Sequence, residues 1–216
     1  QYDHHVDGGY TGTIRNGSSI HPYVDLNTAI AASSPNQTIL IKGTITVPNS
    51  ATDAFILPHG LHFYGADESV VQYNTYNASN GNLFHFAGTD NSQNFSFKNL
   101  ILKNAGGYGL HIKKTAKVVI EDCTLLNNGW NGLGLSTVLA EAGGVLGYDS
   151  SAADLQAFYA GVNASNGGAT RIEEATQLLI IGNTIKNNLR GLRVSDCGIY
   201  GGGFITRQHI MQATDY

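Results

Sequence analysis

The sequence predicts an all-β chain of short parallel strands wound into a β-helix. Three observations carry this: an apolar pattern that recurs along the chain, Asn, Asp or Gly at fixed places within it, and a composition with 27 glycines but only 13% charged residues. The pattern is clearest in residues 95–104 (FSFKNLILKN), 118–127 (VVIEDCTLLN) and 178–187 (LLIIGNTIKN), offset first by 23 residues and then by 60. Phe97, Ile120 and Ile180 align, as do Asn99, Asp122 and Gly182, and then Asn104, Asn127 and Asn187. These last types tolerate a left-handed backbone, so one turn chemistry is being reused.

Short alternating segments accompany the repeat: GLHF (60–63), LFHF (83–86), GLHI (109–112), GLGL (132–135), ATRI (169–172) and GLRV (191–194). Period-two alternation gives each an inward pair and predicts one inward stack of Phe63, Phe86, Ile112, Leu135, Ile172 and Val194. Such strands cannot bury themselves. Stacked at roughly 4.8 Å, successive coils share a continuous core.

Two regions break the pattern. Residues 23–32 (YVDLNTAIAA) place Leu26, Ala29 and Ile30 on one helical face, which suits a short helix capping the open end of the solenoid. Between Leu135 and Ile172 the chain exceeds one coil, and SSAADLQAFYAG offers Ser151 with Asp154 as a capping box and Gly161 as a stop. The expected organisation is a lead segment, residues 1–22, and a β-helix domain, residues 23–216, with a partly helical excursion at about 136–167. The His4–His5 pair beside Asp3 and Asp7 is expected at a mobile end or an intersubunit contact.

The opening GYTGTIRNGSSIHPYVDLNTAIAASSPNQTILIKGTITV, with VVIEDCTLLNNGWNGLGL and LLIIGNTIKNNLRGLRV, resembles the pectin-lyase-like superfamily of right-handed parallel β-helices. The resemblance covers most of the chain and implies that fold with its capping helix. It implies no single function, because the superfamily includes polysaccharide lyases, hydrolases, epimerases, tailspikes and surface fibres.

Composition excludes several classes. A net charge of −4 and only 12 Lys plus Arg give no global attraction to nucleic acid. No apolar run approaches the length of a membrane span, so no membrane insertion is expected. Cys123 and Cys197 form neither a disulfide framework nor a zinc pattern.

Where apolar pairs point inward, the residue between them points outward. His62, His85, His111, Gly134, Arg171 and Arg193 are thereby expected in one exposed column, cationic at one end and histidine-rich at the other. Arginine forks match carboxylates, and histidines gain charge as pH falls through about 6.5, so the column suits an acidic polysaccharide or cell-surface glycan. Trp130, in an Asn-Gly turn, is a candidate platform for a sugar face. Three stacked histidines lack the carboxylate or cysteine that completes a ligand set, so neither a metal nor another cofactor is expected.

Hydrolysis needs two carboxyls flanking a glycosidic oxygen. Glu174 and Asp196 are expected in register on neighbouring coils beside Glu173, Arg171 and Arg193, which makes Glu173, Glu174 and Asp196 the candidate catalytic acids. Ion pairing among these groups is the alternative. The Arg-Ile-Glu at 171–173 only faintly echoes a polygalacturonase site, and paired acidic clusters for calcium are missing. The expectation is therefore an extracellular, cell-surface or virion-surface module, structural and glycan-recognising, as in a fibre or spike. The alternatives are a polysaccharide hydrolase or lyase of the same fold and a purely structural solenoid that self-associates through its ends.

Overall fold

A computed structural model describes residues 1–129, 168–186, 188, 192–195 and 204–210. In chain order the elements are β1 (His4–Asp7), α1 (Leu26–Ala32), β2 (Thr38–Lys42), β3 (Thr44–Val47), β4 (Phe55–Ile56), β5 (His62–Tyr73), β6 (Phe84–Ala87) and β7 (Asn94–Lys103). They continue with β8 (Tyr108–Glu121), β9 (Thr124–Leu126), β10 (Gly168–Lys186), β11 (Leu192–Ser195) and β12 (Phe204–Ile210). The described chain is mostly β, and its strands join one parallel sheet system.

Three ladders build the interior. The first stacks Ile39, Phe63, Phe97, Ile120 and Ile180 in register. A second stacks Ile45, Val71, Leu102, Leu125 and Ile185. In the third, Phe55, Phe84, Leu110 and Thr170 form one row, and Phe86, Ile112, Ile172 and Val194 the next. Phenylalanines tie the ladders together across the core: the Phe63 ring lies 5.0 Å from Phe84 and stacks at 5.3 Å on Phe97. Each such ring removes a large apolar area from water and adds specific edge and face contacts.

The reused turn chemistry is realised. Asn99, Asp122 and Gly182 have φ of 54°, 51° and 66°, and Asn104 and Asn127 have 71° and 56°. At Gly182 a Cβ would fall 2.2 Å from Asp122 Oδ1, so a side chain there would have to displace that carboxylate. Just past these turns the backbone is satisfied by buried asparagines. Asn183 accepts from the Cys123 N–H at 2.8 Å and donates to the Ile120 carbonyl at 2.8 Å. Asn128 accepts from Ala105 N–H and donates to the Leu102 carbonyl, and Asn188 accepts from the Asn128 N–H one coil on.

Helix α1 begins later than the apolar spacing suggested. Asp25 caps it, accepting from the N–H groups of Asn27 and Thr28. Tyr23 instead bridges Val6. The helix buries Leu26, Ala29 and Ile30, and Asn27 donates to the Ala54 carbonyl beside β4. His4 and His5 are not on a free end, because β1 pairs with β2 and sets Val6 on Ile41.

Two expectations about register are corrected. Phe63 does not stack on Phe86: GLHF at 60–63 opens β5, which pairs with Asn94–Lys103 of β7, so Phe63 belongs to the first ladder. The likeness was hidden by a bulge, since β5 takes five steps from Tyr64 to Ser69 where β7 takes two from Lys98 to Leu100. The second concerns Gly134, which was expected between His111 and Arg171. The β8–β10 ladder sets Arg171 directly on His111. GLGL with Leu135, the SSAADLQAFYAG segment and Asn187 lie outside the described residues. Strand β12 extends the ladder on β10.

Candidate functional site

The third ladder presents its outward residues in two adjacent rows. One runs Ile56, His85, His111, Arg171 and Arg193, and the other Ala87, Lys113, Glu173 and Ser195. Arg193 is placed by its backbone register. His62 is not in the row. Its neighbours are Thr38 and Ser96 on the first ladder, and its Nδ1 lies 2.9 Å from Ser96 Oγ. Burial, helped by the Lys98 charge, pushes the His62 imidazole below its ordinary value.

The row is not of one sign. His85 Nδ1 lies 2.6 Å from Asp53 Oδ2. Asp53 is itself fixed by the Asn82 N–H and side-chain amide, at 2.7 and 2.9 Å on Oδ1. Asn82 Oδ1 then accepts from the Tyr108 N–H at 2.7 Å. On the next coil His111 Nε2 lies 3.0 Å from Glu173 Oε2, and Arg171 Nη2 donates to Glu173 Oε1 at 2.9 Å. The imidazoles of His85 and His111 stack with centroids 4.9 Å apart and planes 12° from parallel. The Arg171 guanidinium lies 5.9 Å over the Tyr108 ring.

Register explains why these groups meet. Asp53, Asn82 and Tyr108 each stand two residues before the first inward residue of their strand, Phe55, Phe84 and Leu110, and so line one side of the histidine row. Glu173 is two residues after Arg171 on the same outward face of β10, diagonal to His111.

Burial alone would raise the Glu173 carboxyl, but hydrogen bonds from His111 and Arg171 and the guanidinium charge outweigh it and hold the group below its ordinary value. Asp53 is lowered in the same way: burial opposes, and the His85 and Asn82 hydrogen bonds prevail. His111 is lowered, chiefly by burial, which exceeds the opposing pull of Glu173. An ionised, doubly hydrogen-bonded Glu173 is an acceptor and an anchor, poorly suited to donate a proton near neutrality.

Of the other candidates, the Glu174 side chain, Asp196 and Trp130 lie outside the described residues. Sequence reasoning missed Asp53, Asn82 and Tyr108. Their shared offset from the first inward residue is the signal that identifies them. Cys123 is buried, with its thiol pushed up to about 12 by desolvation, so it is no nucleophile. Among the described residues no three metal-ligating side chains converge, and no helix is long and apolar enough to cross a membrane.

No curated protein and no solved structure matches the chain. The family model described as right handed beta helix region does match, over residues 88–211, more than half of the length. The chain belongs to the right-handed β-helix family.

Proposed function

We propose that the chain is a right-handed parallel β-helical solenoid, capped by α1 and interrupted by an excursion at about 136–167, that serves as a structural and glycan-recognising module on an extracellular, cell or virion surface. One observation carries the reading: His85, His111 and Arg171 form an outward row of planar polar groups at strand spacing, each held by a carboxylate. Such a row can offer hydrogen bonds to successive positions of a saccharide chain without first ordering its own side chains. Glu173 and Asp53 outweigh Arg171 by one negative charge while the histidines are neutral, so attraction to an acidic polysaccharide grows with each proton the imidazoles gain.

Glu173, held ionised by hydrogen bonds from His111 and Arg171, is unsuited to the general-acid role, so hydrolysis would need another carboxyl as its acid. The test is a glycan array on the intact protein at pH 7 and pH 5, with reducing-end release measured on every glycan retained. Retention without product supports the module. Product release would support a polysaccharide-degrading enzyme, and no retention at either pH would refute glycan recognition. Mass that grows with concentration in the absence of glycan would favour end-to-end assembly.

A further inference from the structure

We propose that Asp53 and Glu173 lock the neutral imidazoles of His85 and His111 in opposite tautomers, so that protonation inverts the face from a hydrogen-bond acceptor to a donor. An ionised carboxylate only accepts hydrogen bonds, so the imidazole nitrogen that touches it must carry the proton. The touching atom is Nδ1 in His85 and Nε2 in His111. The remaining nitrogens, His85 Nε2 and His111 Nδ1, then carry lone pairs, and neither has a hydrogen-bond partner among the described residues. The lock on His85 is firm because Asp53 is doubly held by Asn82, which is itself tied to the Tyr108 backbone.

Among the described residues the groups facing the pair are few. Asp53 comes from the segment before β4, Ile56 from β4, Tyr108 and Lys113 from β8, and Arg171 and Glu173 from β10. Neutral imidazoles accept from saccharide hydroxyls at two sites on adjacent coils. One proton turns one of those acceptors into a charged donor. A second proton meets the first across a 4.9 Å stack beside Arg171, where like charges repel. The chemistry that gains is a carboxylate on the sugar, which accepts from charged donors and is repelled by lone pairs.

This second half rests on the glycan reading; the tautomers do not. Long-range proton–nitrogen correlation spectra of the wild-type protein at pH 8 read the tautomers directly. The expected result is a proton on Nδ1 of His85 and on Nε2 of His111, with His85 reverting to the Nε2-protonated form in Asp53→Ala. A wild-type His85 protonated on Nε2 overturns the lock, and that measurement requires no variant to fold. Titration with a uronate oligosaccharide and its carboxyl-reduced neutral counterpart then reads the inversion. The ratio of affinities should move toward the uronate by at least about tenfold between pH 8 and pH 5. A constant ratio overturns the inversion. Binding of neither sugar at either pH overturns the sugar half together with the glycan reading, while the spectra still decide the lock.

Discussion

Replacing Asn128 with alanine removes a side chain that holds two coils together from inside. Asn128 is fully buried; its Oδ1 accepts from the Ala105 N–H at 3.0 Å and its Nδ2 donates to the Leu102 carbonyl at 3.1 Å. Ala105 is buried as well, so water cannot take over the freed N–H. An unsatisfied buried donor costs about 1–3 kcal/mol, and the lost bond to Leu102 adds about 1, giving roughly 2–4 kcal/mol. Against a total of about 5–15 kcal/mol for a domain, that is a large fraction. Asn128→Asp keeps the acceptor but turns a charged oxygen toward the Leu102 carbonyl, so it should cost at least as much. Urea unfolding followed by far-ultraviolet circular dichroism measures both, provided the slope with denaturant is unchanged. A loss below about 0.5 kcal/mol for Asn128→Ala would refute the claim that these amides carry the turn backbone.

Ile112 is fully buried between Phe86 and Ile172 in the third ladder, so Ile112→Asp should abolish the cooperative melt by placing an unpaired charge in the core; parent-like melting would show the inward assignment to be wrong. Stability should fall as pH drops from 7 toward 4. His111 is lowered in the folded state, so below its ordinary value of about 6.5 the unfolded chain binds protons that the folded chain refuses. Further down, Asp53 and Glu173 give up stabilisation as pH falls through their lowered folded values. Urea midpoints across that range should decline, and His111→Gln should flatten the upper part; a wild-type midpoint constant between pH 7 and 5.5 would contradict the assignment of burial as the dominant cause.

What was legible in the sequence depended on spacing. Phe97, Ile120 and Ile180 could be aligned because identical strand geometry imposes identical apolar spacing, and Asn99, Asp122 and Gly182 because a left-handed turn admits few residue types. The outward positions of His85, His111 and Arg171 followed from alternation alone. His62 was assigned to the wrong ladder because the same four-residue alternation serves every face, and the bulge after Tyr64 removed the longer pattern that distinguishes them. Asp53 was invisible for a different reason. The strand that follows it, β4, is only Phe55–Ile56, too short for alternation to register, and its contact with His85 depends on stacking across coils. The sign of the column was also misread, since a row read by cation type alone ignores carboxylates that register brings in from the side.

The central claim is that the His85–His111–Arg171 row receives a saccharide. Calorimetric titration of an array-selected glycan into the wild-type protein and into Arg171→Gln/Arg193→Gln, across a salt series at pH 5, tests it most directly. Binding should weaken with salt in the wild type and be at least about tenfold weaker in the double variant, with both proteins melting cooperatively. Equal affinity in the two folded proteins at every salt concentration would contradict it.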